Sequence, residues 1–200
     1  MLHLYDRETS GNSYKVRLLL AFLRIPYDRT FVPLQNGKNQ VDLSYFELNP
    51  RGQIPTLMDG ASTLWGSTAA LCYVASKYDA SRTWLPREPL QFAEVMQWLE
   101  LAQNEIQSGL FMARAITSFG YPGNLDEAKA KATTALQTLE WRLAKNSWLV
   151  GSTPTIADIA CFPYVALANE GRVDVSPYPG ISAWLYSVKS IPNFVPMPGL

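Results

Sequence analysis

Residues 49–57 read NPRGQIPTL, and the place of Pro55 in that run decides how the first half of the chain is built. A strand begins at Thr56, and a proline at a strand's head cannot donate to the sheet ladder. Ahead of it, Asn49-Pro50 ends a short helix predicted over 43–48, because the residue before a proline is pushed out of the helical region. Behind it, strands over 56–58 and 62–64 flank Asp59-Gly60, a strong hairpin dipeptide. A helix over 67–78 follows, with Ala70, Leu71, Val74 and Tyr78 along one face.

Toward the N-terminus, residues 2–5 suit a strand. Val16, Leu19, Leu20 and Leu23 keep the i, i+3, i+4, i+7 spacing of an amphipathic helix that Pro26 stops, and 27–32 reads as a second strand. The order β-α-β-α-β-β-α is that of a thioredoxin-like fold, so residues 1–80 read as an α/β thioredoxin-like domain. At this place in such a fold the proline is cis and faces the N-terminus of the first helix, which leaves the backbone of Ile54 as an edge for an extended peptide.

Residues 79–89, with Pro86 and Pro89 among polar residues, read as a linker. Beyond them strand signals nearly vanish. Phe92, Val95, Met96, Leu99, Ile106, Leu110 and Ala113 predict one long helix. Ala132, Leu136, Leu139 and Leu143 predict another, a third starts near Thr155, and a last one covers 181–188 ahead of a proline-rich irregular tail. Residues 87–200 therefore read as an all-α helical domain.

Composition narrows the function. Hydrophobic residues at 48% against 17% charged argue for a packed core and against disorder. Seventeen basic residues balance seventeen acidic ones with no long run of one sign, which argues against nucleic acid or an anionic membrane as partner. No apolar run approaches the ~20 residues of a membrane span, and the N-terminus lacks signal-peptide order, so a cytoplasmic protein is expected. His3 is the sole histidine and sits in a strand-like alternation, which leaves no Ser-His-Asp hydrolase and no histidine-rich metal site. Cys72 and Cys161 lie far apart in apolar helical runs; buried free thiols and no metal are expected.

Chemistry gathers at residues 10–13, Ser-Gly-Asn-Ser, just before the first helix. A redox enzyme of this fold puts Cys-x-x-Cys there; here both positions are serines. What remains is a hydroxyl beside a helix N-terminus, whose unpaired N–H groups favour negative charge. Read alone, Ser10 or Ser13 could simply cap the helix.

With SGNSYKVRLLL (10–20), NPRGQIPTL (49–57), LWGSTAALCYV (64–74) and GSTPTIADI (151–159), the chain resembles a bacterial glutathione transferase of the serine-using theta, delta and nu-like branches. The resemblance spans nearly the whole chain. Thr155 and Asp158 match the capping box with which that family nucleates its core helix. It implies that Ser10 donates to the glutathione sulfur and that Ile54, before Pro55, pairs with the cysteinyl backbone. It also implies that Gln53 contacts the glycine end and that Ser67, at another helix N-terminus, takes the γ-glutamyl carboxylate. Asn12, Arg51 and Lys38 are weaker candidates, the last for the glycine carboxylate. The electrophile is expected between the domains, against Gln107, Phe111, Arg114 and Ala115, with Phe119 and Tyr121 beyond; Arg114 could favour an acidic substrate or be solvated.

One residue departs from the family pattern. Gly66 stands where a glutamate usually precedes the serine and helps to hold the γ-glutamyl amine. Losing a charge-assisted contact costs about 1.5–3 kcal/mol. An acid from the partner subunit is one substitute, while Asp59 lies too far along the turn to nominate.

The implied activity is conjugation of glutathione to small hydrophobic electrophiles in detoxification, by a homodimer paired through its third and fourth helices. The alternatives are glutathione-dependent disulfide or peroxide reduction, or a non-catalytic binding protein of the same fold.

Overall fold

A computed structural model describes residues 1–35, 38–39 and 43–200, and the side chains of all of these except 34, 35, 38, 39 and 43. Its first half runs β1 (Leu2–Asp6), α1 (Gly11–Phe22), β2 (Tyr27–Phe31), β3 (Leu34–Gln35), β4 (Lys38–Asn39), α2 (Leu43–Leu48), β5 (Thr56–Asp59), β6 (Ser62–Trp65) and α3 (Ser67–Tyr78). Its second half runs α4 (Pro89–Gln103), α5 (Met112–Phe119), α6 (Leu125–Leu143), α7 (Ile156–Ala166) and α8 (Pro179–Lys189).

The main sheet has the order β2-β1-β5-β6. Parallel pairing of β1 with β2 sets Leu4 opposite Arg29, and antiparallel pairing with β5 sets it opposite Leu57, itself opposite Leu64 of β6. This is the thioredoxin-like arrangement, followed by a helical domain. The β3–β4 ribbon is an addition that the sequence pattern did not signal.

The expected amphipathic stripe on α1 is not what forms. Every residue from Ser13 to Leu20 is buried, because α3 and α7 pack against α1 as well as the sheet. Nor does Pro26 end the helix. Arg24 takes a left-handed φ of 55°, and the N–H groups of Arg24 and Ile25 close onto the carbonyls of Ala21 and Leu20. That pair of bonds is a Schellman stop.

Two buried cations result. Arg17 pairs with Asp6 at 2.5 Å, and Asp6 also meets Arg29 at 2.6 Å. Lys15 has no hydrogen-bond partner among the described residues; its ammonium lies 5.3 Å from the ring centre of Tyr164.

Residues 79–88 are less of a loose linker than their composition suggests. Asp79 accepts from the backbone of Ser81 and Trp84, and the buried Trp84 stacks on Phe22 at 5.2 Å. The Trp84 carbonyl accepts from the N–H of Ile156, tying the segment to the helical domain.

The one long helix expected over Phe92–Ala113 is divided. α4 ends at Gln103 with Asn104 as its C-cap, a single π-helical turn occupies Gln107–Phe111, and α5 continues from Met112. Close approach is the reason: a side chain on Gly109 would strike the backbone of Ala132 in α6. π-turns of this kind widen a helix locally and recur at functional sites.

α7 is buried from Ile156 to Val165 and opens with the expected capping box. The Asp158 carboxylate accepts from the N–H groups of Thr155 and Leu149 and from the Trp184 indole. Burial pushes that carboxyl up to about 6, against these donors, which lower it. The proline-rich tail carries no helix but folds back, its Val195 carbonyl accepting from the Tyr14 hydroxyl at 2.6 Å. No helix among the described residues is long and apolar enough to cross a membrane.

Burial pulls the Lys15 ammonium down from 10.5 to about 8. Between these values the unfolded chain holds a proton that the folded chain has released. The cost of burying Lys15 is therefore full below about pH 8 and fades as pH rises toward 10.5. A methionine of similar volume, K15M, is expected to raise stability at pH 7 by up to about 3 kcal/mol in chemical denaturation. The gain should shrink to nothing near pH 10.5, and an unchanged midpoint at pH 7 would refute the assignment.

Candidate functional site

Ser10 is the N-cap of α1, and its Oγ accepts from the N–H of Ser13 at 3.2 Å. Capping uses a lone pair and leaves the Ser10 O–H free to donate, so the structural and chemical readings of this serine coexist. The other orphan donors of the first turn divide cleanly. The Asn12 N–H goes to the Tyr164 hydroxyl at 3.1 Å, while the Gly11 N–H has no partner among the described residues. Two donors, the Ser10 O–H and the Gly11 N–H, thus stand open at a helix N-terminus where negative charge is favoured.

Ser13 is not a second site residue. Its hydroxyl is buried without a hydrogen-bond partner among the described residues, on the core side of α1.

The Ile54-Pro55 bond is cis. The N–H and C=O of Ile54 bond to nothing among the described residues. The loop before it is pinned from α2: the Gln53 carbonyl accepts from the Tyr45 hydroxyl at 2.8 Å and the Asn49 amide at 2.5 Å. The sequence marked Asn49 only as a helix stop and Tyr45 not at all, since their role here depends on bonds made after folding.

Ser67 is the first residue of α3 and not its cap. The N-cap is Gly66, at φ 89° and without a side-chain bond. The Ser67 hydroxyl donates to Asn12 Oδ1 at 3.4 Å, and Asn12 Nδ2 donates to Gln107 at 3.3 Å. Asn12 therefore links α1, α3 and the π-turn.

Two adjoining cavities meet on this line. The larger, about 770 Å³, is bounded by Arg7, Thr9, Ser10 and Gly11 on one side and by Phe111, Arg114, Phe119, Tyr121 and Tyr164 on the other. The smaller, about 170 Å³, lies against Pro55, Trp65, Gly66 and Ser67. Asn12, Arg51, Gln53, Ile54 and Gln107 line both. Among the described residues no aspartate or glutamate lines either one. Asp59 does not fill the gap left at Gly66. It is engaged by Tyr73, Tyr78 and Lys77, and the Lys77 ammonium draws its carboxyl down to about 2.

Gln107, Phe111, Phe119 and Tyr121 line the large cavity, but Ala115 is buried in the core and does not. Arg114 lines it without being solvated: its Nε pairs with Glu170 at 2.6 Å, and Nη1 donates to the Thr9 carbonyl. The side chain of Lys38 lies outside the described residues.

Arg7, Thr9, Phe46 and Tyr164 are wall residues that sequence reasoning missed. Position after the first strand could have suggested Arg7 and Thr9; nothing marked Tyr164 inside an apolar helix. Burial raises the Tyr164 phenol above its ordinary range and likewise raises both cysteine thiols, and neither cysteine lines either cavity. Among the described residues no cluster of acids, histidines or cysteines could hold a metal.

Comparisons with known proteins agree with this geometry. Residues 9–77 match the model of the glutathione S-transferase N-terminal domain, and residues 110–192 match that of its C-terminal domain. The chain is 30% identical to glutathione S-transferase GstB of Escherichia coli, covering 96% of this chain and 95% of that one. It is 27% identical to the disulfide-bond oxidoreductase YfcG of the same organism, covering 96% and 92%. The crystal structure of a glutathione S-transferase from Pseudomonas fluorescens superposes with a TM-score of 0.91 at 33% identity, covering 98% of each chain. With both domains in order over a thioredoxin-like sheet and a helical bundle, the chain is an enzyme of the glutathione S-transferase family.

Proposed function

We propose that the chain conjugates the glutathione thiolate to small electrophiles, with Ser10 as the group that stabilises the sulfur anion. The observation that carries this reading is the pair of open donors at the start of α1, facing a large cavity beside the unpaired backbone of Ile54. The donor set fits the tripeptide. Ile54 offers an N–H and a C=O to the cysteinyl unit, Gln53 and Arg51 flank the glycine end, and Ser67 at the start of α3 meets the γ-glutamyl carboxylate.

The energy is sufficient. A free thiol titrates near 8.5, so holding half of it as thiolate at pH 7 needs about 2 kcal/mol. A hydroxyl hydrogen bond to an anion supplies about 1.5–3 kcal/mol. The helix N-terminus, with the Gly11 N–H, adds about 0.3–1 kcal/mol. Ser10 need not take the proton, which leaves to solvent. The sulfur then forms a bond to the electrophilic carbon, and the leaving group departs with its electron pair. The aromatic wall of Phe111, Phe119, Tyr121 and Tyr164 holds an apolar reactant close to the sulfur.

Reduction of disulfides would use the same thiolate, and the oxidoreductase among the relatives gives that second reading its weight. Conjugation is favoured by the volume and aromatic lining of the large cavity. We further infer a cytoplasmic homodimer acting in detoxification. Exposed Trp65, Leu90 and Phe92 on β6 and the start of α4 support pairing near the third and fourth helices.

S10A is expected to lower conjugation at pH 7 by tenfold or more and to move the rate profile to higher pH, since the thiol loses a donor that favours its anion. Losing the cap costs about 1 kcal/mol of stability with the fold retained. An unchanged rate at pH 7 would remove Ser10 from the mechanism. Because no carboxylate among the described residues lines the smaller cavity, N-acetylglutathione should bind within about threefold of glutathione by titration calorimetry. A loss of more than tenfold would mean that an acid outside these walls meets the amine. Sedimentation at micromolar concentration should report a dimer, and a monomer there would discard the pairing.

A further inference from the structure

Among the described residues the large cavity has three arginines on its walls and no acid. Two of the three are engaged. Arg114 is paired with Glu170 and lies 4.9 Å from the ring of Phe119. Arg51 lies over Trp65 on the wall shared with the smaller cavity.

Arg7 is different. Its carbonyl is fixed, accepting from Arg17 Nη1 at 3.1 Å and from the Ser10 N–H at 3.0 Å. Its guanidinium has no hydrogen bond, ion pair or ring partner among the described residues. Arg7 as a whole is half-buried, and it lines the large cavity but not the smaller one. A buried pairing would have removed it from use, and a fully exposed position would have left it screened by water. Arg7 has neither, and its backbone is held three residues before Ser10.

Building on the conjugation reading, we propose that the electrophile taken by this cavity carries a carboxylate, and that Arg7 selects it. The guanidinium presents a planar fork of donors that matches a carboxylate through two parallel bonds. Aromatic and aliphatic walls lower the local dielectric and strengthen that attraction relative to open water. The preference belongs to Arg7 and not to Arg114, whose charge Glu170 already meets.

The test separates binding from chemistry. Unreactive 3,5-dinitrobenzoate and 3,5-dinitrobenzamide are titrated into the full chain under saturating glutathione, using wild type, R7Q and R7K. The acid is expected to bind about tenfold more tightly than the amide, as one charge-assisted contact allows. That ratio should fall to about one in R7Q, stay partly intact in R7K, and decline with added salt in wild type. Equal binding of acid and amide by wild type overturns the proposal, as does a ratio that survives in R7Q. If R7Q does not fold, the R7K ratio and the salt dependence of wild type decide the matter.

Turnover of 4-chloro-3,5-dinitrobenzoate is followed in parallel. There the sulfur–carbon bond forms, the carbon–chlorine bond breaks, and chloride leaves with the pair. Preference without turnover removes the transferase reading and leaves the anion site standing. Turnover without preference removes the anion site and leaves the transferase.

Discussion

The position of the first turn of α1 is the constraint on which the rest of the site depends. An O–H and an N–H help an anion only within hydrogen-bond distance, so a shift of an ångström would forfeit both. The chain holds that turn from two sides. From below, buried Arg17 grips Asp6 at the end of β1 and the carbonyls of Arg7 and Glu8, which sets the loop that delivers Ser10. From above, the Tyr164 hydroxyl takes the Asn12 N–H, and its ring leaves no room for a side chain at Gly11. A buried ion pair is a weak source of net stability but a strong constraint on geometry once its remaining bonds are satisfied.

This second hold makes the helical domain part of the proposed thiol site. Tyr164 sits in α7, and α7 is located by its own beginning. Asp158 ties Thr155, Leu149 and Trp184 together there, fixing where the helix starts and so where its later turns face. The capping box is far from the chemistry, yet its influence reaches Ser10 through one buried helix.

Polarity at the two cavities is one-sided. The walls offer hydroxyls, amides and guanidiniums, while Asp59 is occupied by lysine and tyrosine and Glu170 is paired with Arg114. Such a site suits anions, in keeping with the thiolate, the two peptide carboxylates and the acidic electrophile proposed for it. The π-turn contributes to the same end. Close packing of Gly109 on α6 interrupts the helix where Gln107 and Phe111 turn toward the cavity.

The sequence by itself determined the architecture, because periodicity and turn chemistry are local. The alternation in β1, the Asp59-Gly60 hairpin, Ile54-Pro55 and the Thr155–Asp158 box each act within a few residues of themselves. The same locality made Ser10 legible, since a hydroxyl before a helix start is a short-range pattern. Only tertiary structure decided which polar groups remain open. Arg114 and Arg7 look alike in sequence, and a glutamate from a distant turn takes one and leaves the other. Tyr164, the burial of α1 on every side and the break at Gly109 were likewise illegible. Each depends on what a remote element brings within van der Waals or hydrogen-bond reach, and no local pattern records that.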